Sequence, residues 1–479
     1  MKHILILVFL SSLLSARPIE PSPTDQQIIS YTFNEQFDQA KKLCQEQINS
    51  NPNSPKYYYY LINTKMMEYY QKVSELDPEK RDEARKILNK EIIDYCEKVL
   101  ERFDESKLNT ENKFYYGTIY AYLARIYGVD ASWWSAFKSG KKAKSTMQDI
   151  LKADSLFYDA YLILGMLEYY ADRMSGITSF IAGVLGLSGD RDIGLNYLKI
   201  SYEKGSLTFG QTALTLIEAY SSLEGNETAA LPYFEGFLNR YPKNKRTLNA
   251  YCRTLMNLWN IKKVESIIKS DKDNLVDDYT KARFYDLTGN SALAIQYGEM
   301  ALQNERKLYR GGGNAARHII VFNSWLAGDY LKMNKYEPTL TERYKTAFAE
   351  AKKFEKETKW LRELTIQIAA DKPVSAIENY SKSKPDFTSL KGFEDEYNIL
   401  IGSFYFKNNV YDKSEYYFNR SINSPDDRGR YTAARYLLDL YMKQTVDKTK
   451  VKNLLKIIDN IDNSRLSYRS KDLEKKYNL

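Results

Sequence analysis

The chain has 479 residues, of which 28% are charged and 43% hydrophobic, and its formal net charge is +8. This length fits about three ordinary domains or one continuous repeat array. Spread over such a length, the charge favours weak attraction to anionic surfaces and gives no indication of nucleic-acid binding.

The N-terminal segment MKHILILVFLSSLLSA predicts a cleaved secretory signal. It begins with a basic residue, continues as an apolar run and ends in small residues. We expect cleavage after Ala16, which gives residues 1–16 as signal peptide; retention of the segment as an anchor is the alternative. No cysteine follows the run, which excludes a lipid-modified N-terminus, and no later stretch reaches the ~18 apolar residues of a spanning helix. We therefore expect an exported protein, in a bacterial periplasm, at the cell surface or secreted.

Beyond this segment the periodicity is helical nearly everywhere. In EARKILNKEIIDYCEKVLERF, the apolar residues Ile92, Cys96 and Val99 recur with the spacing of one helix face. Short stretches rich in Asn, Gly, Pro and Asp separate such runs. About twenty helices joined by short turns predict stacked helical hairpins. Tyrosine is abundant at 41 residues, which indicates either an adhesive groove or a compositional habit.

A recurring spacing supports this prediction. A small residue is followed by further residues at offsets of 4, 7 and 12 in two segments, namely Ala40, Cys44, Gln47 and Pro52, and Ala230, Phe234, Phe237 and Pro242. Ala294 and Ser414 begin the same register, and Phe418 follows Ser414 by four residues. In the preceding helix, Gly402 and Tyr405 lie ahead of Ser414, and Gly402 is 12 residues from it. Cys252 and Val264 are also 12 residues apart.

These residues resemble the tetratricopeptide repeat family over about 190–305 and 397–425, and less completely over 24–52. The Trp expected early in the first helix of that repeat is absent. The resemblance implies an all-α, right-handed superhelix of stacked antiparallel helical hairpins, an α-solenoid. We expect one repeat array over 17–305 and a second over 306–479. The residues that the resemblance places in the repeat packing are Ala40, Gly165, Gly194, Ala230, Phe234, Pro242, Ala294, Gly402, Tyr405 and Phe418.

One predicted hairpin carries an insertion. Gly165 matches Gly402, so the small residue of the second helix is expected 12 positions later, yet the matching residue is Gly194. The hairpin therefore contains about 17 extra residues, and the nearly uncharged stretch GITSFIAGVLGL lies within them. Asp190 is well placed to cap the following helix, and Gly189 allows the turn into it. Residues 160–204 are also similar to a segment of the Iml2 and tetratricopeptide-repeat-39 group, which implies an interaction platform.

Three interpretations of the insertion stay open from the sequence. It forms an extra helix packed in the groove of the superhelix, an exposed contact for a partner, or a membrane contact. The partner-binding candidates in and beside it are Phe180, Ile181, Leu185 and Arg191. Trp133 and Trp134, followed by Lys138, Lys141, Lys142 and Lys144, add a mixed aromatic and basic face. The alternative for this face is packed tryptophans beside a solvated lysine edge.

Residues that could support catalysis are scarce. His318 is the only histidine after the predicted signal, and without partners at metal-ligand spacing we expect neither zinc nor any other metal there. Cys44, Cys96 and Cys252 fit core positions, as small hydrophobic residues do. The glycine run in YRGGGNAAR, residues 309–317, is expected to be a flexible turn, although it could hold an anion at the start of the following helix. The acidic cluster Glu394-Asp395-Glu396 is expected on the surface.

We therefore predict a non-catalytic scaffold without cofactor, which binds protein or peptide partners along a concave groove. Stacked hairpins expose a long curved surface on which Tyr and Trp serve as anchors. One alternative is an all-α protein that binds or cleaves glycans, since a carboxylate pair for that reaction has no local spacing rule. The second alternative is a membrane- or lipid-binding module that uses the apolar insertion.

Overall fold

The structure, a computed structural model, describes residues 20–76, 80–174, 183, 189–304, 312–424, 427–461 and 463–479. Every regular element in these ranges is helical, which confirms the all-α prediction. None of the helices in this part of the chain has the length and apolarity needed to cross a membrane. The predicted signal segment, residues 1–16, lies outside the described residues.

The chain divides into two compact units. Unit 1 consists of residues 1–70 and 83–215, and unit 2 of residues 71–82 and 216–479. The sequence places the division between two arrays at 305/306, within residues 305–311, which the structure does not describe. That boundary stays a prediction about the repeats.

The first nine helices, up to the end of unit 1, are α1 Pro23–Phe33, α2 Phe37–Ser50, α3 Pro55–Ser74, α4 Arg81–Leu100, α5 Thr110–Val129, α6 Trp133–Ala153, α7 Ala160–Asp172, α8 Arg191–Lys204 and α9 Phe209–Ile217. A π-helical turn, Glu218–Leu223, continues α9.

The remaining helices of unit 2 are α10 Glu227–Arg240, α11 Lys245–Asn257, α12 Ile261–Ser270, α13 Asp278–Leu287, α14 Ser291–Gln303, α15 Gly312–Leu326, α16 Tyr330–Tyr336, α17 Glu342–Lys353, α18 Glu355–Ala369, α19 Val374–Ser381, α20 Lys391–Lys407, α21 Tyr411–Ser421, α22 Asp427–Lys443, α23 Lys448–Asp459 and α24 Ser464–Tyr477.

Within the hairpins one turn geometry recurs. The turn contains one residue in the left-handed region, and this residue is Glu35, Ala131, Gly189, Gly225, Trp259, Gly289, Gly328, Asp371 or Asn409. The N–H of the next residue usually donates to a carbonyl in the last turn of the first helix, as from Gln36 to Tyr31 at 2.8 Å and from Val410 to Tyr405 at 2.9 Å. This is the Schellman arrangement that ends helices. The hairpins therefore share a turn as well as a spacing.

The packing within the hairpins agrees with the predicted repeat register. The small residue of the second helix follows the left-handed residue by five positions, and it is buried at Ala40, Gly194, Ala230, Val264, Ala294 and Ser414. The Ser414 hydroxyl donates to the Gly402 carbonyl at 3.0 Å. A Cβ on Gly402 would meet the Phe418 ring at 2.8 Å. The two helices of a hairpin therefore touch where the small residues lie, as tetratricopeptide-like packing requires.

In unit 1 the first helices of successive hairpins close on one another. The Tyr122 hydroxyl of α5 bonds Asn63 of α3 at 2.9 Å and Gln211 of α9 at 3.1 Å. Phe33 of α1 packs on Gly210 of α9, whose Cβ would lie 2.7 Å from the ring. No residue of α3 over 55–70 is exposed, and none of α5 over 111–128. Side chains of α1, α3, α5 and α9 therefore pack against one another in the interior of this unit.

Tyrosine accounts for much of this interior. Tyr59, Tyr115 and Tyr169 are among the largest fully buried side chains, and the Tyr59 ring stacks on Tyr122 with centroids 6.1 Å apart. Burial raises the pKa of Tyr59 and Tyr122 far above that of a free phenol, so both stay neutral hydroxyls. Among the described residues of unit 1, tyrosine therefore forms a substantial part of the core.

Unit 2 folds back on itself. Glu227 at the start of α10 pairs with Arg435 of α22 at 2.9 Å, although 208 residues separate them. Asp286 of α13 pairs with Arg362 of α18 at 2.9 Å. Trp259, at the turn between α11 and α12, packs against a hydrophobic cluster from α18 and α20. In an open solenoid each hairpin contacts only its neighbours, so these contacts join hairpins that such an array would keep apart.

Candidate partner-binding surface

The base of the predicted insertion is a pinched loop in unit 1. A Cβ on Gly189 would lie 2.2 Å from the Asp172 nitrogen and 2.6 Å from the Ala171 carbonyl carbon. The Asp190 N–H donates to the Glu168 carbonyl at 3.2 Å. In the other hairpins this bond reaches back about five residues along the chain. Here it passes over 17 additional residues, so the hairpin closes as though the insertion were absent.

Packing beneath the loop agrees with this closure. A Cβ on Gly165 would meet the Gly194 carbonyl oxygen at 2.9 Å, and one on Gly194 would meet the Tyr169 nitrogen at 2.6 Å. These glycines are therefore the paired small residues of this hairpin, as Gly402 and Ser414 are of theirs. The contacts at the base of this hairpin agree with the predicted insertion of about 17 residues.

The predicted roles of Gly189 and Asp190 are also confirmed. Gly189 has φ +70°, and the Asp190 side chain accepts from the Ile193 N–H at 2.9 Å to cap α8. Arg191 does not fit its predicted role as a partner contact. It is 8% exposed and pairs with Asp192 at 2.9 Å.

Three predicted partner contacts, Phe180, Ile181 and Leu185, lie outside the described residues. Gly183, the one described residue between 174 and 189, is exposed, and no atom lies within 4 Å of the position that its Cβ would take.

The two tryptophans at the start of α6 differ. Trp133 is half-buried, and its ring stacks on Phe137 with centroids 6.3 Å apart. Trp134 is 67% exposed. The sequence makes both tryptophans candidates for partner contact, with packed tryptophans as the alternative, and of the two only Trp134 presents its ring to solvent.

The lysines of α6 also fall into two groups, those in ion pairs and those exposed to solvent. Lys142 pairs with Glu105, Lys144 with Glu168 and Lys152 with Asp149. Lys138 and Lys141 are exposed, and among the described residues neither has a carboxylate partner. They follow Trp134 by four and seven positions, which places all three side chains on one stripe of the helix. We call this stripe, Trp134, Lys138 and Lys141, the α6 face. The sequence grouped four lysines together, although this spacing could have separated them.

Helix α6, which carries the α6 face, contacts α7 near the base of the insertion. Lys144 reaches Glu168 at 2.8 Å, and the Glu168 carbonyl accepts from Asp190. Helices α6 and α7 are joined by a short connection and run antiparallel. The N-terminal end of α6, which carries Trp134, is therefore on the same side as the C-terminal end of α7. Further exposed apolar residues close to hairpin turns of unit 1 are Val129 and Ile193.

The histidine and the cysteines that were considered as catalytic or metal-binding residues are packed among other side chains. His318 is half-buried and stacks on Tyr344 with ring centroids 4.7 Å apart, and desolvation lowers its pKa. The thiols of Cys44, Cys96 and Cys252 are buried and unpaired with one another, and burial raises the pKa of each to about 12. No group of His, Cys, Asp or Glu in the described ranges is arranged to hold a metal ion.

The acidic cluster takes part in ion pairs, and the described glycines of the glycine run are packed in a helix. Glu394 pairs with Lys384 and Arg420, and Asp395 is buried and pairs with Lys391. Because these cations neutralise them, the two carboxylates do not form a free acid–base pair. Of the glycine run, Gly312 and Gly313 are buried in the first turn of α15, and residues 309–311 lie outside the described ranges.

Comparison with known proteins assigns no family to this chain. No protein-family model matches the sequence, and no curated protein matches it. Among solved structures, the chain is similar to one described as the crystal structure of the APC/C hetero-tetramer Cut9–Hcn1, with 11% identity, 93% of this chain and 95% of that chain covered, and a TM-score of 0.26. A likeness of that size says nothing about the partners or the activity of this chain.

Proposed function

We propose that this chain is an exported, non-catalytic helical-repeat scaffold that binds a protein or peptide partner. The observation that carries the proposal is the α6 face, where a tryptophan 67% exposed to solvent stands beside two lysines without a carboxylate partner in the described part of the chain. Exposed aromatic residues of this kind are the side chains that dominate binding energy in protein interfaces. The N-terminal apolar segment supports export.

The interior of unit 1 supports placing the partner on this surface and not along a groove. Helices α3 and α5 have no exposed residue over most of their length, so a peptide along them would have to displace packed tyrosines. The α6 face needs no such rearrangement. Loops and helix ends held by a rigid scaffold are common positions for binding residues.

Site-specific photo-crosslinking in the native host tests the proposal. A photoreactive phenylalanine analogue replaces Trp134 in one variant and Leu156 in another. Leu156 is also exposed, at 37%, and lies at the opposite end of the α6–α7 hairpin. We expect a discrete protein adduct from position 134 and none from position 156. Equal labelling at both positions, or no adduct at 134, contradicts the proposal.

A further inference from the structure

The charge pattern of the α6 face limits what it can bind. Every other lysine of α6 has a carboxylate within 3.0 Å, whereas Lys138 and Lys141 point to solvent without one in the described ranges. An uncompensated pair of ammonium groups beside an exposed ring favours an anionic ligand, because opposite charges steer association and like charges oppose it.

The spacing adds a geometric requirement. At the rise of an α-helix, Lys138 lies ~6 Å and Lys141 ~10 Å along the axis from Trp134. A partner that packs an apolar side chain on the Trp134 ring therefore meets the first ammonium group about one helical turn away and the second about two turns away. A short segment with one apolar residue and carboxylates on one side satisfies both.

A lipid surface fits less well. An interfacial helix buries a broad apolar face, whereas the solvent side of α6 beyond Trp134 is polar, with Ser145, Gln148 and Lys152 exposed. One ring and two lysines provide a local anchor, which is the kind of contact that a peptide segment makes.

We propose that the α6 face binds an acidic peptide segment of a protein partner, in which an apolar or aromatic side chain packs on Trp134 and carboxylates pair with Lys138 and Lys141. This inference rests on the proposed scaffold function and names the chemistry of the partner. The carboxylates come from Asp or Glu, and the segment needs no fold of its own.

Selection from a random peptide display library on the purified full chain tests the proposal. Clones that also bind the triple variant W134A/K138E/K141E are removed, and the remaining sequences are read. We expect enrichment of Asp and Glu near one apolar or aromatic residue. Enrichment of apolar residues without acidic bias would overturn the proposal and leave the scaffold function standing. Recovery of no Trp134-dependent clone counts against both.

A selected peptide then allows a quantitative check with matched variants. We expect K138E/K141E to weaken its binding by at least ~10-fold, since each lysine loses an attraction and gains a repulsion. The control K86E/K90E reverses two exposed lysines that are also about one helical turn apart, on α4, and should leave affinity within about twofold. Equal losses in both variants would show a general charge effect and overturn the site. Binding of anionic vesicles instead of peptide, lost in K138E/K141E, would assign the face to lipid and equally overturn it.

Discussion

Gly189 lies directly on the end of α7, where a Cβ would come within 2.2 Å of the Asp172 nitrogen. Because Gly189 also has φ +70°, alanine at this position faces two penalties. The left-handed backbone costs ~1–2 kcal/mol, and relief of the backbone clash adds ~1–3 kcal/mol. We therefore expect Gly189→Ala to lower the free energy of unfolding by about 3 kcal/mol, measured by urea denaturation.

Gly328→Ala provides the control for this substitution. Gly328 has φ +74° but no atom within 4 Å of the Cβ position, so only the backbone penalty of ~1–2 kcal/mol applies. If the two variants lose the same stability, the ends of the insertion are not held together as described.

Excision of the insertion should leave the hairpin folded. Removing residues 172–188 joins Ala171 to Gly189, whose positions are already adjacent, and restores the 12-residue interval between Gly165 and Gly194. Since the closure of a loop of this size carries only a modest entropy, we expect the free energy of unfolding to change by no more than ~1 kcal/mol. Circular dichroism and urea denaturation measure this. An unfolded or aggregated product would show that the insertion is part of the core.

The ion pair between Glu227 and Arg435 should be important for unit 2. Their side chains are 15% and 16% exposed, so Arg435→Ala leaves a largely buried carboxylate without its cation. We expect a loss of ~3–5 kcal/mol, and a smaller loss for the double variant E227A/R435A than for the sum of the single variants. Lys269→Ala removes an exposed pair with Glu265 and should cost no more than ~0.5 kcal/mol. Additive single effects would argue against the fold-back of unit 2.

Stability should depend on pH through His318. Burial lowers the pKa of His318 in the folded chain below that of the unfolded chain, which is about 6.5. The unfolded state therefore takes up the proton first, and the contribution of the neutral imidazole is present above about pH 6.5 and lost as pH falls through the folded-state pKa. We expect His318→Phe, which keeps a ring against Tyr344, to show a shallower fall in unfolding free energy from pH 7 to 5.

The difference between the pH profiles of the wild type and His318→Phe reports the contribution of the histidine alone. Asp159 is a buried carboxyl whose pKa is raised by desolvation, so its own contribution strengthens as pH falls. That effect is the same in wild type and variant, and it cancels in the difference. Parallel pH profiles for the two would show that His318 is accessible to solvent when folded.

Much of the local structure follows from spacing. The interval of 12 between Gly402 and Ser414 predicts their contact, and its extension by 17 between Gly165 and Gly194 predicts the insertion and its closure. Asp190 is recognisable as a cap because an Asx residue there precedes a helical pattern. These features depend on residues within one hairpin, so the chain encodes them at short range.

The choice between contact and core residues depends on the surroundings of each side chain. Trp133 and Trp134 are equivalent in the sequence, yet one packs on Phe137 and the other faces solvent. Arg191 lies in a segment whose sequence predicts a surface position, yet its side chain is buried. The orientation of a helix against its neighbours decides these outcomes. Helical periodicity alone does not fix that orientation.

The sequence by itself determined the helices, the repeat register, the insertion and its cap, because periodicity and small-residue spacing act between residues that are close along the chain. Only the tertiary structure decided that α9 closes the interior of unit 1 through Gly210 and Gln211, and that unit 2 brings Glu227 to Arg435. Such contacts depend on small rotations between hairpins that accumulate over many repeats. No local spacing records their sum, so the exposed α6 face becomes a candidate for binding only in the tertiary structure.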